Sequence, residues 1–369
     1  MTMSDIAKSR APLCHVVQRT GVPAGRQMVF RLIAVLLALV TGGVFLLCLG
    51  LNPLEIYGTM ITGSIGTSMA FREMVKVAIP LCITALGITL AFKMKFWNIG
   101  AEGQICVGAI AGSYFAYTYA ESWPSWLLLI VMAAAGFIAG GLWGMIPAYF
   151  KTKWGTNETL FTLMLNYVAL YFIQYLREGP WRDTEAMGFP IMPRFDRAAR
   201  MPTLCGIHIG WVVALALVVI LFLYLRYSKQ GYELTVVGEN EQTARYAGMP
   251  VKKIVLRTMF LSAGICGLAG ILQASGADKQ LTDSVAGGVG FTAITVAWLA
   301  RLSPIGILIV SVLFGILEKG SGAVESAFKV SPSMADVLQG IILFFVLGAE
   351  FFIHYQIMFR EREAKGAKA

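Results

Sequence analysis

The sequence predicts an all-α polytopic membrane protein with about ten transmembrane helices, eight at the least, and three observations predict it. Of 369 residues, 57% are hydrophobic and only 14% are charged, where an ordinary soluble domain carries about 25% charged residues. The mean hydropathy is +0.69. The basic residues that give a net charge of +9 stand at the ends of apolar runs, as they do on the cytoplasmic side of membrane proteins. A soluble chain of this length buries a large core but still needs a charged skin, and this one lacks the residues to make it. The same placement of charge argues for the lipid bilayer as a partner and against nucleic acid.

A helix crosses about 30 Å of hydrocarbon with about 20 apolar residues. Ten runs qualify: 29–50, 74–93, 104–121, 126–150, 159–177, 208–226, 254–274, 285–301, 303–319 and 336–356. The pair 285–301 and 303–319 is short and split only around Ser303-Pro304, so one member is a candidate re-entrant segment. The stretch 52–70 reads either as an interfacial helix or as part of a broken span. With the N-terminus placed in the cytoplasm, alternation puts most of the 30 basic residues inside. Both termini are then expected in the cytoplasm. This divides the chain into an N-terminal tail 1–28, a transmembrane domain 29–356 and a C-terminal tail 357–369. Residues 178–207 form the large external loop and 227–253 the large cytoplasmic one. The N-terminal tail is too polar, and the first apolar run too long, for a cleaved secretory signal.

Chemical motifs are scarce. The six cysteines include no CxxC pair, and the three histidines, His15, His208 and His354, sit apart at or beyond run ends, so no metal site is expected. No GxxxxGK[ST] loop is present to cradle a nucleotide. Any ATP and Mg²⁺ would belong to another chain, and this one is expected to carry no cofactor and to catalyse no covalent reaction.

Three polar stretches interrupt the apolar pattern. FWNIGAEGQ (96–104) sets Asn98, Glu102 and Gln104 among glycines. An acid in a span costs about 3 kcal/mol, and broken backbone at that depth survives only inside protein or beside a wet cavity. Two readings stand: a plain cytoplasmic turn, or a kinked segment at a translocation path, with Asn98 and Gln104 bonding across helices and Glu102 pinning a gate. TNETLFTLMLNYVALY (156–171) places Glu158 and Asn166 two turns apart, roughly on one helical face; Asn166 serves either as interhelical glue or as a solute contact. Phe291 offers an aromatic face for a solute. In the cytoplasmic loop, VGENEQTARYAGM (237–249) reads as a short exposed helix from Glu239 to Ala247, with Gly238 ending the preceding segment. Asn240, Ala244 and Arg245 lie within that helix and Gly248 closes it. It is either an ordinary surface loop or a docking helix for a partner's groove. Glycines at 136, 140 and 144, and at 264, 267 and 270, read as close helix packing.

These stretches carry a family resemblance. VGENEQTARYAGM resembles the coupling-helix loop VG-N-x-x-A-A-R-Y-A-G of ABC importer permeases of the type II-like, branched-chain amino acid and ribose class. The branch is the one that works with basic-membrane-protein-type binding lipoproteins on nucleosides. FWNIGAEGQ resembles its FNIGAEGQ motif, TNETLFTLMLNY its NE…MLNY motif, and GVGFTAITVAWLARLSPIGILIVSVLFG (288–315) its G-x-G-F-x-x-I-x-V-A…P-x-G segment. The likeness runs from about residue 74 to 350. One departure is Thr243-Ala244 where the family often has Ala-Ala. The resemblance implies separate ABC ATPase subunits gripping Glu239, Asn240, Ala244, Arg245 and Gly248. It also implies a second permease subunit, an external solute-binding lipoprotein, and residence in the cytoplasmic (inner) membrane. Asn98, Glu102, Gln104, Glu158, Asn166 and Phe291 would belong to the path or gate. The rival class is an ion-coupled secondary transporter or channel, which calls for an acid pair deep in the spans that is hard to find here.

Overall fold

The computed structural model describes residues 14–18, 23–184, 186–331 and 333–359. The tails 1–13 and 360–369, part of the expected cytoplasmic tails, lie outside them. The chain is mostly helical and divides into two compact units, one of residues 58–329 and one of residues 1–57 with 330–369.

In the smaller unit, α1 (Ala24–Cys48) packs against α13 (Ser333–His354). Strand β1 (Cys14–Gln18) pairs antiparallel with β4 (Tyr355–Phe359), Cys14 opposite Phe359 and Gln18 opposite Tyr355, which brings the two described ends of the chain together. The ambiguous stretch 52–70 resolves into α2 (Pro53–Ile65), with Ser68 already opening α3.

The larger unit holds α3 (Ser68–Lys93), α4 (Ala101–Tyr119), α5 (Ser125–Trp154), α6 (Glu158–Glu178), α7 (Gly210–Tyr227), α8 (Lys229–Glu239), α9 (Glu241–Tyr246), α10 (Val251–Gln273), α11 (Val289–Leu299) and α12 (Pro304–Phe328). Six helices among the described residues are long and apolar enough to cross a membrane: α3, α5, α6, α7, α10 and α12. They are seven if the broken pair α1–α2 counts as one. Each of the ten expected spans contains a helix. The run 285–301 departs most. Only Val289–Leu299 is helical, about 16 Å of helix against about 30 Å of hydrocarbon, because Gly287 and Gly288 turn the backbone to φ 51° and 80°. The structure therefore corrects that expected span to a half-length helix.

Local chemistry sets the helix ends. Thr67, Asn157 and Ser228 accept hydrogen bonds from the first-turn N–H groups of α3, α6 and α8, relieving donors that a helix start leaves unpaired. Pro304 opens α12 at a position where its missing N–H costs nothing.

The core is α10, packed against α3, α4 and α5. The expected glycine packing is realised here. A Cβ on Gly140 would lie 2.7 Å from the Ala263 carbonyl oxygen, and one on Gly267 would lie 2.9 Å from the Gly140 Cα. Only bare backbone permits this approach. The α3 and α10 spans are largely buried, whereas only 22–33% of the span residues of α5, α6, α7 and α12 are buried. Their exposed surface has the composition for lipid contact.

The 178–207 stretch is not a loose loop. It folds through a short 3₁₀ turn (Arg197–Ala199) and a two-residue hairpin of β2 (Thr203–Leu204) and β3 (Ile207–His208). It is pinned to the segment after α10: Phe195 N–H donates to Lys279 O at 2.9 Å and Ser275 Oγ to Ala199 O at 2.6 Å. His208 is buried beneath it, and neither ring nitrogen meets a hydrogen-bonding partner among the described residues. Burial, with the Lys76 charge nearby, lowers its pKa to about 4, so the ring is neutral at ordinary pH.

Candidate functional site

Residues 94–100 leave the end of α3 without helical structure, and α4 starts at Ala101. The segment packs against the body of α5 and not its end. A Cβ on Gly144 would lie 3.3 Å from Gln104 Nε2. Gly144 stands ten residues before the end of α5, so the motif sits about 15 Å along α5 from that end. The segment is buried in the protein interior, with Asn98 and Glu102 both inside it.

Asn98, Glu102, Gln104, Glu158 and Asn166 are all buried, and the structure gathers all but Glu158 around this motif. Asn98 Oδ1 accepts from Gly100 N–H at 3.0 Å and from Gln104 Nε2 at 3.1 Å. Its Nδ2 donates to Gln104 Oε1 at 3.3 Å. These two amides therefore close the motif on itself. They do not bond across helices as expected, since Gln104 lies only one turn into α4, directly over the Asn98 side chain. The bond across helices is made by Asn166 of α6. Its Oδ1 accepts from Gly103 N–H at 2.9 Å, and its Nδ2 donates to Ile99 O at 2.8 Å. Thr162, one turn before Asn166, takes Ile99 N–H on its Oγ1 at 3.2 Å.

Glu102 reaches a third element. Oε1 accepts from Gly288 N–H at 2.7 Å and Oε2 from Gly290 N–H at 2.8 Å. The carboxylate thus sits in the first turn of α4 and caps the first turn of α11. Two helix N-termini, each with a partial positive charge, converge on one acid. That is how the fold accommodates a buried carboxylate, whose nearest described partners are both backbone groups. A Cβ on Gly290 would lie 2.7 Å from Glu102 Cα, so glycine is needed for the approach.

Glu158 is engaged elsewhere, in an ion pair with Lys151 near the end of α5, and Lys151 Nζ lies over the Phe96 ring, 5.5 Å from its centre. Phe291 follows the Glu102 cap by one residue and is 44% exposed, outside the polar cluster.

The second predicted group lies at the end marked by Lys93, Lys95 and Lys151. Helix α8 runs through Gly238 to Glu239, and Asn240 starts a new helix by accepting from Gln242 N–H at 2.9 Å and Thr243 N–H at 3.1 Å. The short helix expected from Glu239 to Ala247 is present as α9, starting two residues later at an Asn240 cap. The preceding helix α8 ends at Glu239, one residue past Gly238; a Cβ on Gly238 would collide with Lys93 O, so glycine also lets α8 lie against the end of α3. Ala244 is buried, Arg245 pairs with Glu241 at 2.6 Å, and Gly248 closes α9 at φ 76°.

A hollow of about 490 Å³ lies between these helices. Its walls include Lys95, Phe96, Lys151, Glu239, Arg245 and Lys252. Lys95 Nζ donates to Glu239 O at 3.2 Å. The same short segment 94–100 is therefore held by α8 at one end and by α6 and α4 at the other. Lys95, Lys151, Thr162, Gly288 and Gly290 were not singled out from sequence. Thr162 had a legible signal, because Glu158, Thr162 and Asn166 recur every four residues.

Residues 69–347 match the family model described as branched-chain amino acid transport system, permease component. Among curated relatives, the glucose ABC transporter permease protein TsgB13 of Haloferax volcanii is 34% identical over 92% of this chain and 92% of its own length. The guanosine ABC transporter permease protein NupP of Bacillus subtilis is 28% identical over 85% of this chain and 91% of its own. NupQ of the same bacterium, also a guanosine ABC transporter permease protein, is 26% identical over 72% and 86%. With a family model spanning most of its length and apolar helices to match, the chain belongs to the branched-chain amino acid transport system permease family and is a multi-pass membrane permease.

Proposed function

We propose that this chain is one of two permease subunits of an ATP-binding-cassette importer of the cytoplasmic membrane, carrying nucleosides or related solutes. In this reading it makes about ten crossings with both termini in the cytoplasm. The hollow and α8–α9 then lie on the cytoplasmic face, and 178–207 receives an external binding lipoprotein. Two guanosine permeases in one relative's organism support a heteromeric pore. ATP and Mg²⁺ act on the partner ATPases, and this chain supplies the moving path.

The observation that carries the reading is the contact route from α9 to the membrane interior. An ATPase seated on α9 would move α8 through the Asn240 hinge. Gly238 against Lys93, and Lys95 on Glu239, would pass that movement to residues 94–100. The Asn98–Gln104 and Asn166 bonds make this segment rigid, and Glu102 ties it to α11. Helix α11 is the element whose tilt would open or close the path.

The test is to break the route at its start. Gly238→Ala pushes α8 off α3, and Asn240→Ala removes the α9 cap at a cost of about 1 kcal/mol. Both variants are expected to assemble in the membrane, while ATPase stimulation by loaded binding protein falls at least tenfold. Wild-type stimulation in both would count against this assignment.

A further inference from the structure

Helix α5 has 30 residues, about 45 Å of helix. That length covers the hydrocarbon and the headgroup layer on each side, about 40–45 Å in all. The first turn of α5 therefore stands at headgroup level, where tryptophan is enriched, and Trp126 is exposed there. Beside this turn lies an open depression of about 750 Å³, walled by Ser125 and Trp126 of α5, by Arg197, Arg200 and Thr203 of the 178–207 stretch, and by Lys279.

The charged walls of the depression are three cations, with no acid among them. None of the three pairs with an acid among the described residues. Asp278, the neighbour of Lys279, is engaged by Gln273 Nε2 at 3.1 Å instead. The walls are stitched in place. Ser125 Oγ donates to Ala198 O at 2.7 Å, and Met201 N–H to Ser275 O at 3.2 Å. Arg200 Nε donates to Phe195 O at 2.7 Å, which orients the guanidinium and leaves its terminal nitrogens for a ligand. No side chain caps α5, so its first N–H groups add partial positive charge. Like charges held together repel, and an anion between them relieves the repulsion. Arginine forks match phosphate oxygens in particular.

The position selects the source of the phosphate. Trp126, Ile130, Ala134, Ile138 and Leu142 are all exposed and recur every four residues, so an apolar stripe on one face of α5 begins at the depression. We infer that the depression is a headgroup site for an anionic phospholipid. Arg197, Arg200 and Lys279 hold its phosphate, and its acyl chains run down α5 from Trp126. An acidic side chain of a partner protein would meet the cations but not the stripe. The inference needs only the membrane residence of this chain and is independent of the solute and of the ATPases.

The test uses the assembled transporter in a neutral detergent, titrated with dioleoylphosphatidylglycerol or dioleoylphosphatidylcholine, with bound lipid counted by native mass spectrometry. Phosphatidylglycerol is expected to stay on each copy of this chain at concentrations where phosphatidylcholine does not, and excess inorganic phosphate should not displace it. Arg197→Gln and Lys279→Gln should each weaken retention about fivefold, and both together with Arg200→Gln on the order of a hundredfold. The Arg197 and Lys279 side chains make no hydrogen bond or ion pair among the described residues, so their double variant carries the test if Arg200→Gln disturbs the fold. Equal retention of the two lipids, or equal retention of phosphatidylglycerol by wild type and the double variant, would overturn the site. Displacement by inorganic phosphate would make it a site for a soluble anion and overturn the lipid assignment. Unchanged lipid retention with loss of ATPase stimulation by the binding protein would give the three cations to a protein partner and overturn it as well.

Discussion

At the residue scale, Glu102 does the most. It is buried, accepts two backbone N–H groups, and joins two helix starts that lie about 190 positions apart in the chain. Removing it leaves both donors facing apolar surroundings. Glu102→Ala is expected to destabilise the protein by about 2–5 kcal/mol, read as a lowered melting temperature in detergent. Glu102→Gln keeps one acceptor oxygen and offers an N–H where the second acceptor stood; it should cost less, about 1–3 kcal/mol, yet still impair transport by loosening α11. An unchanged melting temperature for the alanine variant would mean the two bonds are not made in the membrane. The sequence announced this residue through its setting, an acid between glycines in an apolar chain. It did not announce the partners, because Gly288 and Gly290 contribute only backbone.

At the element scale, the pattern of apolar runs gave each expected span a helix, since burial against lipid or core needs the same composition in both cases. It was incomplete where glycine had two uses. Gly238 read as a helix stop, and α8 ends one residue past it; it is also a close contact against α3, and the Asn240 side chain caps the next helix. Gly287 and Gly288 read as part of a span and are the turn that shortens α11. Where glycines recur every three or four residues, the pattern was informative, because that spacing places them on one face. Gly267→Ala tests it: the added methyl would meet Gly136 and Gly140 backbone, which cannot yield as a side chain can. A cost of about 1–3 kcal/mol is expected, measured as thermal stability of the purified protein. A neutral result would show that α5 and α10 cross less closely than this.

At the scale of the whole molecule, the permease has no nucleotide loop of its own. Polar contacts join Glu239 of α8 to Lys95, Asn98 to Gln104, and Glu102 to the start of α11. The family was legible in four motifs, and three of them are the stretches that meet around Glu102. The solute was not legible in those motifs, since the hydrogen bonds of their polar residues go to other helices of this chain. The central claim is that uptake is driven by partner ATPases. The most direct measurement is nucleoside accumulation in sealed vesicles holding the two permeases and the binding protein, with and without the ATPase subunits. Accumulation against a gradient only when the ATPases and ATP are present is the result expected. Accumulation by the permeases alone, driven by an ion gradient, would contradict it.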